Sequence, residues 1–140
     1  MNYHPTEPDI GFGKPMRKRR NLHYSFRLYL NANGKRVLGK GGAEILEAIR
    51  EHGSITAAAD ELEMSYRFVW NYLNRMRERA GKPMIVTRRG GTLHSRRKGG
   101  GETTLTPLAR ALLEDYRATE KLLHKTLAGK RRVRMTTRYP

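Results

Sequence analysis

The stretch from Gly53 to Met76 constrains this 140-residue chain most, because two short helical patterns meet there across a very short turn. Ser54 is a suitable N-cap for the first helix, and an apolar stripe follows at helical spacing: Ile55, Ala58, Ala59 and Leu62. Ser65 is a suitable N-cap for the second helix, which has its own apolar stripe: Val69, Tyr72, Leu73 and Met76. The pattern predicts two closely crossing helices joined at Leu62-Glu63-Met64.

The outer face of the second helix is polar and carries Arg67, Asn71, Asn74, Arg75 and Glu78. Arginine matches the acceptors of guanine, and asparagine matches the edge of adenine in the major groove. We therefore predict a DNA-binding helix-turn-helix over 54–80, in which the start of the second helix enters the major groove. The predicted contacts are Ser65, Tyr66, Arg67, Asn71, Asn74 and Arg75 from the second helix, with Ser54 and Thr56 from the first. The alternative is a pair of amphipathic helices with an ordinary solvated face.

The charge balance of the chain points to a polyanionic partner. Lysine and arginine number 29 against 13 aspartate and glutamate residues, giving a formal net charge of +16. No long apolar run or signal sequence indicates a membrane, so double-stranded DNA is the favoured partner. The absence of cysteine excludes disulfides and thiolate metal sites. We expect one domain acting in the cytoplasm, at the nucleoid.

The part before the helix-turn-helix divides into three segments. Residues 1–20 are rich in proline and glycine and end in a basic run, which predicts a disordered arm that either follows DNA or only improves solubility. Apolar residues alternate from Leu22 to Leu30, predicting a half-buried strand that a turn at 31–34 joins to a second strand over 35–38. After Gly41 and Gly42, which should break the chain, we predict a helix from Ala43 to His52, ended by Gly53.

The part after the helix-turn-helix reads as a wing over 84–105. A short strand from Met84 to Thr87 and a returning strand from Glu102 to Leu105 flank a basic, glycine-rich loop. The predicted wing contacts with phosphates or the minor groove are Arg88, Arg89, Arg96, Arg97 and Lys98. A loop that touches nothing is the alternative. A nucleotide-binding loop is disfavoured, because no Gly-Lys-Ser/Thr sequence is present.

A long helix is predicted over 106–128, because Thr106 is an N-cap and Pro107 suits the first helical position. At about 1.5 Å per residue it is long enough to reach beyond its own core. A heptad-like seam favours a dimerisation helix, and consists of Leu112, Tyr116, Thr119 and Leu123. The alternative is a helix folded back over a monomeric core. Residues 129–140 are predicted to form a basic disordered tail.

These elements predict a mainly α fold with small β content: a winged helix-turn-helix with an N-terminal β-hairpin and a long C-terminal dimerisation helix. The chain resembles the N-terminal DNA-binding domain of the ModE-type molybdate-responsive regulators and, more distantly, the LysR-type winged helix. The motifs that carry the resemblance are 53–59, Met64-Ser65-Tyr66-Arg67 with Trp70, 87–91 with 99–101, and Leu105-Thr106-Pro107. It implies a dimeric transcription factor whose second helix, with Tyr66 and Arg67, reads the major groove while the wing contacts the backbone. We expect Trp70, on the flank of that helix, to serve in packing.

Two departures from the ModE-type pattern limit what the resemblance implies. Family members that sense molybdate carry a C-terminal oxyanion-binding domain, whereas this sequence ends in a basic tail. We therefore expect no molybdate sensing, no cofactor and no small-molecule ligand. In the turn, Glu63 stands where glycine is common, and a positive φ there would cost about 1 kcal/mol or more.

The sequence does not predict an enzyme or a metal site. The five histidines fall in separate elements with no i, i+3 or i, i+4 pair, and no nucleophile and base are paired. Two functions remain: a dimeric, sequence-specific transcriptional regulator, and an architectural DNA-binding protein of the nucleoid with little base readout. Arg67 and Asn71 favour the first, whereas the extra basic segments favour the second. An RNA-binding protein fits the charge but lacks paired exposed aromatic residues.

Overall fold

The computed structural model describes residues 22–89 and 101–130. The predicted arm over 1–20, the wing loop with Arg96, Arg97 and Lys98, and the tail beyond Lys130 lie outside these residues. The elements run in the order β1 (Leu30–Ala32), β2 (Lys35–Leu38), α1 (Lys40–His52), α2 (Ile55–Glu61), α3 (Tyr66–Ala80), β3 (Ile85–Arg89), β4 (Gly101–Leu105) and α4 (Pro107–Ala128). Strands β1 and β2 form one antiparallel pair, and β3 and β4 form another. The predicted class, a mainly α winged helix-turn-helix with small β content, is confirmed.

One hydrophobic core joins all four helices. Helix α1 contributes more buried apolar residues than any other element, and its Ile45, Leu46 and Ile49 are fully buried. The other helices contribute the faces that helical spacing predicted: Ile55, Ala58 and Ala59 from α2, Val69, Leu73 and Met76 from α3, and Ala109, Leu113 and Tyr116 from α4. The small side chains of α2 let the helices pack closely on α1, so the core fixes the position of α3.

Helix α1 begins at Lys40, so the prediction that Gly41 and Gly42 break the chain is wrong. Both glycines lie in the first turn of the helix, and Gly42 is buried. A Cβ atom at Gly42 would lie 3.0 Å from Leu38 Cδ1 and 3.0 Å from Tyr72 Cε1. Glycine is therefore used here to let the start of α1 approach β2 and α3, rather than to end a helix.

The predicted hairpin is present but shorter than expected. Asn33 and Gly34 both have positive φ, 52° and 76°, which suits the two-residue turn of a hairpin. The strand predicted from Leu22 is wrong, because β1 contains only Leu30–Ala32. Its partner β2 has only four residues, so among the described residues no strand pairs with 22–29.

Residues 22–29 instead contact helix α4. The hydroxyl of Tyr116 donates a hydrogen bond to the carbonyl oxygen of Leu28 (3.0 Å), and the rings of Phe26 and His124 lie 4.7 Å apart. Burial raises the pKa of the Tyr116 hydroxyl, as does the nearby Glu120 carboxylate, which keeps this donor protonated. The alternation in the sequence is real, since Phe26 and Leu28 are half-buried between exposed neighbours. Its partner is a helix, however, and not a strand.

Helix α4 has the predicted start and length. The Thr106 hydroxyl accepts a hydrogen bond from the Ala109 amide (3.1 Å), Pro107 follows the cap, and the helix contains 22 residues. Arg117 forms ion pairs with Glu47 of α1 and Glu120 of α4. Although partial burial disfavours the charge, hydrogen bonds with these carboxylates raise the pKa of Arg117. The first half of α4 is thus attached firmly to its own core.

Substitution of Gly42 by alanine tests the close packing at the start of α1. We expect this variant to be less stable than Gly41→Ala by about 1 kcal/mol or more, because Leu38 and Tyr72 must shift to admit the new methyl group. Gly41→Ala is the matched control, since its Cβ would lie 3.8 Å from the Tyr72 hydroxyl, in ordinary contact. Urea unfolding followed by circular dichroism measures both. Equal stability of the two variants would contradict this account.

Candidate nucleic-acid interface

The turn between α2 and α3 has a well-defined geometry. Glu63 has a φ of 55°, and its amide donates to the carbonyl of Asp60 (3.2 Å). The amide of Met64 donates to the carbonyl of Ala59 (2.9 Å). This pair of bonds is the Schellman arrangement that ends helices, normally with glycine at the left-handed position. Glu63 therefore adopts the positive φ that the sequence analysis treated as a source of backbone strain.

Both helices of the motif begin at the predicted caps. The Ser54 hydroxyl accepts from the Ala57 amide (3.2 Å), and the Ser65 hydroxyl accepts from the Phe68 amide (3.0 Å). A serine hydroxyl that accepts one bond keeps its own hydrogen for donation. Thr56, one residue into α2, is exposed. The starts of α2 and α3 therefore carry hydroxyl groups, with Thr56 and Ser65 exposed and Ser54 half-buried, and hydroxyl groups can donate to phosphate oxygens.

The face of α3 opposite the core contains the residues predicted to contact DNA. Tyr66, Arg67, Asn71 and Arg75 are exposed, whereas Asn74 is half-buried. The guanidinium of Arg75 lies 5.9 Å from the centre of the Tyr72 ring, on the side of the helix that faces the hairpin. Arg67 and Asn71 are separated by about one helical turn, so their side chains project from the same surface.

Trp70 does not have the packing role expected for it. Its side chain is 40% exposed and does not belong to the core cluster. Tyr66 and Phe68 are each 51% exposed, so three aromatic residues are accessible within the first five residues of α3, and the expectation that the chain lacks exposed aromatic residues close together is wrong. Sequence periodicity located Trp70 on a flank of the helix, but only the packed structure shows that the described elements leave this side chain 40% exposed.

The wing is attached directly to the helix-turn-helix. The amide of Thr103 in β4 donates to the carbonyl of Gly53 (2.8 Å), the residue that ends α1 with a φ of 66°. Strands β3 and β4 pair from Ile85 opposite Leu105 to Arg89 opposite Gly101. The exposed Arg88 lies towards the far end of this ladder, and Arg89 is its last residue on β3. The two strands thus carry these predicted wing contacts away from the core at a fixed position relative to α2.

The predicted seam on α4 is divided by the fold. Tyr116 is buried within its own chain, and Leu112 packs partly against the same core. Thr119 and Leu123 are half-buried, and Leu122 is 63% exposed. Tyr116 is therefore a core residue whose hydroxyl holds the N-terminal segment. The accessible apolar surface of α4 lies around Leu122 instead.

The fold also brings together three residues that the sequence did not connect. Ligand atoms of Glu51, His52 and Glu61 lie within 4.8 Å of one another, and His52 Nε2 is 2.5 Å from Glu61 Oε2. This contact links the end of α1 to the end of α2. Sequence spacing could not show it, because His52 and Glu61 lie on different helices whose crossing places them side by side.

A groove of about 690 Å³ opens where the N-terminal segment, α1 and α4 meet. Basic and aromatic side chains line it, including Arg27, Tyr29, Arg36, Lys40 and Arg117. The Arg36 guanidinium lies 3.6 Å from the centre of the Tyr29 ring, so part of this charge is already engaged. The groove was not expected from the sequence, because its walls come from segments that are distant along the chain.

Comparison with known proteins defines the class. Residues 42–110, from the first turn of α1 into α4, match the family described as bacterial regulatory helix-turn-helix protein, lysR family. This segment is therefore similar to the helix-turn-helix domains of LysR-type regulators. The crystal structure of a CbnR_DBD-DNA complex aligns with a TM-score of 0.45 and 21% identity, over 60% of this chain and 84% of that one.

The relatives agree with the resemblance seen in the sequence. The molybdenum transport protein ModE of Azotobacter vinelandii is 35% identical over 94 residues, covering 67% of this chain and 33% of that protein. The transcriptional regulator ModE of Haemophilus influenzae is 34% identical over 77 residues, covering 55% and 28%. The predicted similarity to the ModE-type helix-turn-helix domain is confirmed. The chain spans about a third of the length of these relatives.

Within the parts of the chain that the structure describes, none of the helices is both long and apolar enough to span a lipid bilayer.

Substitutions at Glu63 test the strain in the turn that orients α3. Glu63→Gly and Glu63→Ala both remove the carboxylate, but only glycine removes the Cβ that disfavours a positive φ. We expect Glu63→Gly to exceed Glu63→Ala in free energy of unfolding by about 1 kcal/mol. Chemical denaturation of the two variants gives the difference directly. An alanine variant as stable as the glycine variant would show that the turn is not strained.

Proposed function

We propose that this chain is a DNA-binding transcriptional regulator that reads base sequence with α3 and contacts the DNA backbone or minor groove with its wing. The observation that carries the proposal is the exposed pair Arg67 and Asn71 on α3, projecting from a regulatory helix-turn-helix domain. A relative described as a transcriptional regulator supports the same assignment. A DNA partner implies action at the nucleoid.

The dimensions of α3 suit the major groove. Its 15 residues extend for about 22 Å, and a helix with side chains is about 10–12 Å wide, close to the width of that groove. Arg67 would pair with guanine and Asn71 with adenine. Asn74 lies deeper, and Arg75 leans towards the hairpin, so these two residues would contact phosphates or the outermost bases.

Phosphate contacts would come from the elements around α3. Ser54, Thr56 and Ser65 present hydroxyls at two helix starts, and Arg88 extends from the wing. A formal charge of +16 favours release of counterions from DNA, so affinity should fall steeply as salt rises. Such contacts position the protein on DNA without reading its sequence. A substitution in the wing should therefore affect binding to all sequences, whereas a substitution in α3 should affect sequence preference.

The second part of the proposal is that two chains pair through α4. The exposed Leu122 and the half-buried Leu112, Thr119 and Leu123 lie along α4 and offer an apolar surface that one chain leaves partly exposed. Pairing there would place two copies of α3 on successive turns of DNA, about 34–36 Å apart. Residues 22–29 cover part of α4, so the partner would have to dock beside this segment.

Selection of bound duplexes from a random pool distinguishes a sequence-specific regulator from an architectural DNA-binding protein. A specific regulator should prefer its selected site over a scrambled duplex by about a thousandfold or more at physiological salt. A ratio near one would favour an architectural protein of the nucleoid. A palindromic winning sequence would support the dimer and give its half-site spacing.

Arg67→Ala tests base readout by α3. We expect it to weaken binding to the selected site by about 1–3 kcal/mol while leaving the scrambled duplex nearly unaffected, because one bidentate base contact is lost. Arg88→Ala is the matched control and should weaken both duplexes alike, since it removes a phosphate contact. Fluorescence anisotropy at several salt concentrations measures these affinities. Equal losses for Arg67→Ala on both duplexes would remove this residue from the base contacts.

Leu122→Lys tests pairing through α4. A lysine on the proposed interface should raise the dissociation constant of the dimer by about tenfold or more, because an apolar contact is replaced by a buried charge. Glu114→Lys places the same side chain at an exposed position on another side of α4 and should leave pairing unchanged. Sedimentation equilibrium measures both. A monomeric unsubstituted protein would rule out the dimer.

A further inference from the structure

The start of α3 combines aromatic side chains with basic ones in an unusual way for a protein surface. Tyr66, Phe68 and Trp70 are all exposed within five residues, and they make up three of the eight large exposed hydrophobic side chains among the described residues. An isolated exposed aromatic residue needs no explanation, but a cluster at one end of one helix does. We expect a bound partner to cover this apolar surface.

Helical geometry places Trp70 at one edge of the polar stripe, between Arg67 and the core-facing side of α3. Arg67, Trp70, Asn71 and Asn74 stand at positions i, i+3, i+4 and i+7, which share one face of a helix. The core residues Val69, Leu73 and Met76 lie on the opposite side. A groove wide enough to enclose the outer face of α3 would therefore bring its wall or floor close to the indole ring of Trp70 as well as to Arg67 and Asn71.

The chemistry of the neighbours identifies the occupant. Arg67 and Arg75 are exposed on the same helix, in a chain of net charge +16, so the occupant is anionic overall. It must also offer an apolar group to the indole. Phosphates do not fit the second requirement, whereas the floor of the DNA major groove does, because thymine exposes its C5 methyl group there. Thymine is the only standard base with an apolar group on that edge.

We propose that Trp70 reads thymine, with its indole ring packed against one or more C5 methyl groups in the major groove, next to the bases contacted by Arg67 and Asn71. The inference rests on the proposed function, because it requires α3 to enter the groove. Tyr66, one turn earlier, extends the same apolar surface towards the helix start. The recognition helix thus combines polar readout of guanine and adenine with apolar readout of thymine.

Replacing thymine by deoxyuridine tests this reading, because the exchange removes the methyl group and keeps every hydrogen-bonding atom. The unsubstituted protein should bind the selected site less tightly at one or two specific positions when uracil replaces thymine there, by about fourfold per buried methyl group. Trp70→Ala should bind the thymine site about tenfold more weakly but should no longer distinguish thymine from uracil at those positions. Tyr24→Ala removes an exposed aromatic residue away from α3 and should retain the full discrimination.

Fluorescence gives a second readout that needs no substitution, because Trp70 is the single tryptophan of the chain. Binding of the thymine site should shift its emission to shorter wavelength or quench it, and the uracil duplex should give a smaller change. Circular dichroism first confirms that Trp70→Ala is folded, which the exposure of the side chain leads us to expect.

The outcomes separate this inference from the proposed function. If no selected duplex binds better than a scrambled one, the proposed base reading by α3 fails, and the thymine contact fails with it. If a selected site binds tightly but uracil is tolerated at every position, or Trp70→Ala discriminates as well as the unsubstituted protein, the thymine contact is wrong while the regulator assignment stands. Unchanged tryptophan emission on binding would also overturn it.

Discussion

The left-handed turn at Glu63 is the constraint on which the functional face depends. Two backbone hydrogen bonds close the end of α2 around this residue, and Ser65 then starts α3 two residues later. Because so few residues separate the helices, the angle of α3 has little freedom once α2 is packed. Hydrogen bonds that satisfy the end of α2 offset the strain of a non-glycine residue at this position. The turn thus converts the buried packing of α2 into a fixed direction for the exposed face of α3.

The surrounding structure holds this pair of helices from three sides. Helix α1 packs beneath them, and the absence of a side chain at Gly42 lets β2 and Tyr72 approach its first turn. The bond from Thr103 to Gly53 attaches the wing at the junction of α1 and α2. Arg117 joins α4 to α1 through Glu47. Each of these contacts lies away from the outer face of α3, so the residues that anchor the fold and those that would read DNA are separate sets.

Exposure gives the outer face of α3 its chemical character. Arg67 and Asn71 supply directional hydrogen bonds, while Trp70 supplies a partly exposed apolar surface. Leaving an indole ring partly in water forgoes stability that burial in the core would provide. The same ring can recover that free energy against an apolar group of a partner. On a basic helix in a regulatory helix-turn-helix domain, a thymine methyl group meets that condition.

The sequence by itself determined that four helices and two wing strands form and where α2, α3 and α4 begin, because these features follow from hydrogen bonds and periodicities spanning a few residues. Ser54, Ser65 and Thr106 cap the helices as their side chains require. The tertiary structure alone decided what each amphipathic segment packs against. In the tertiary structure the alternating residues 22–29 pack on α4 and not on a strand, Tyr116 is buried in the core of its own chain, and Trp70 stays partly exposed. The local sequence pattern shows which face of a segment is apolar. Whether that face is buried depends on which distant element packs against it.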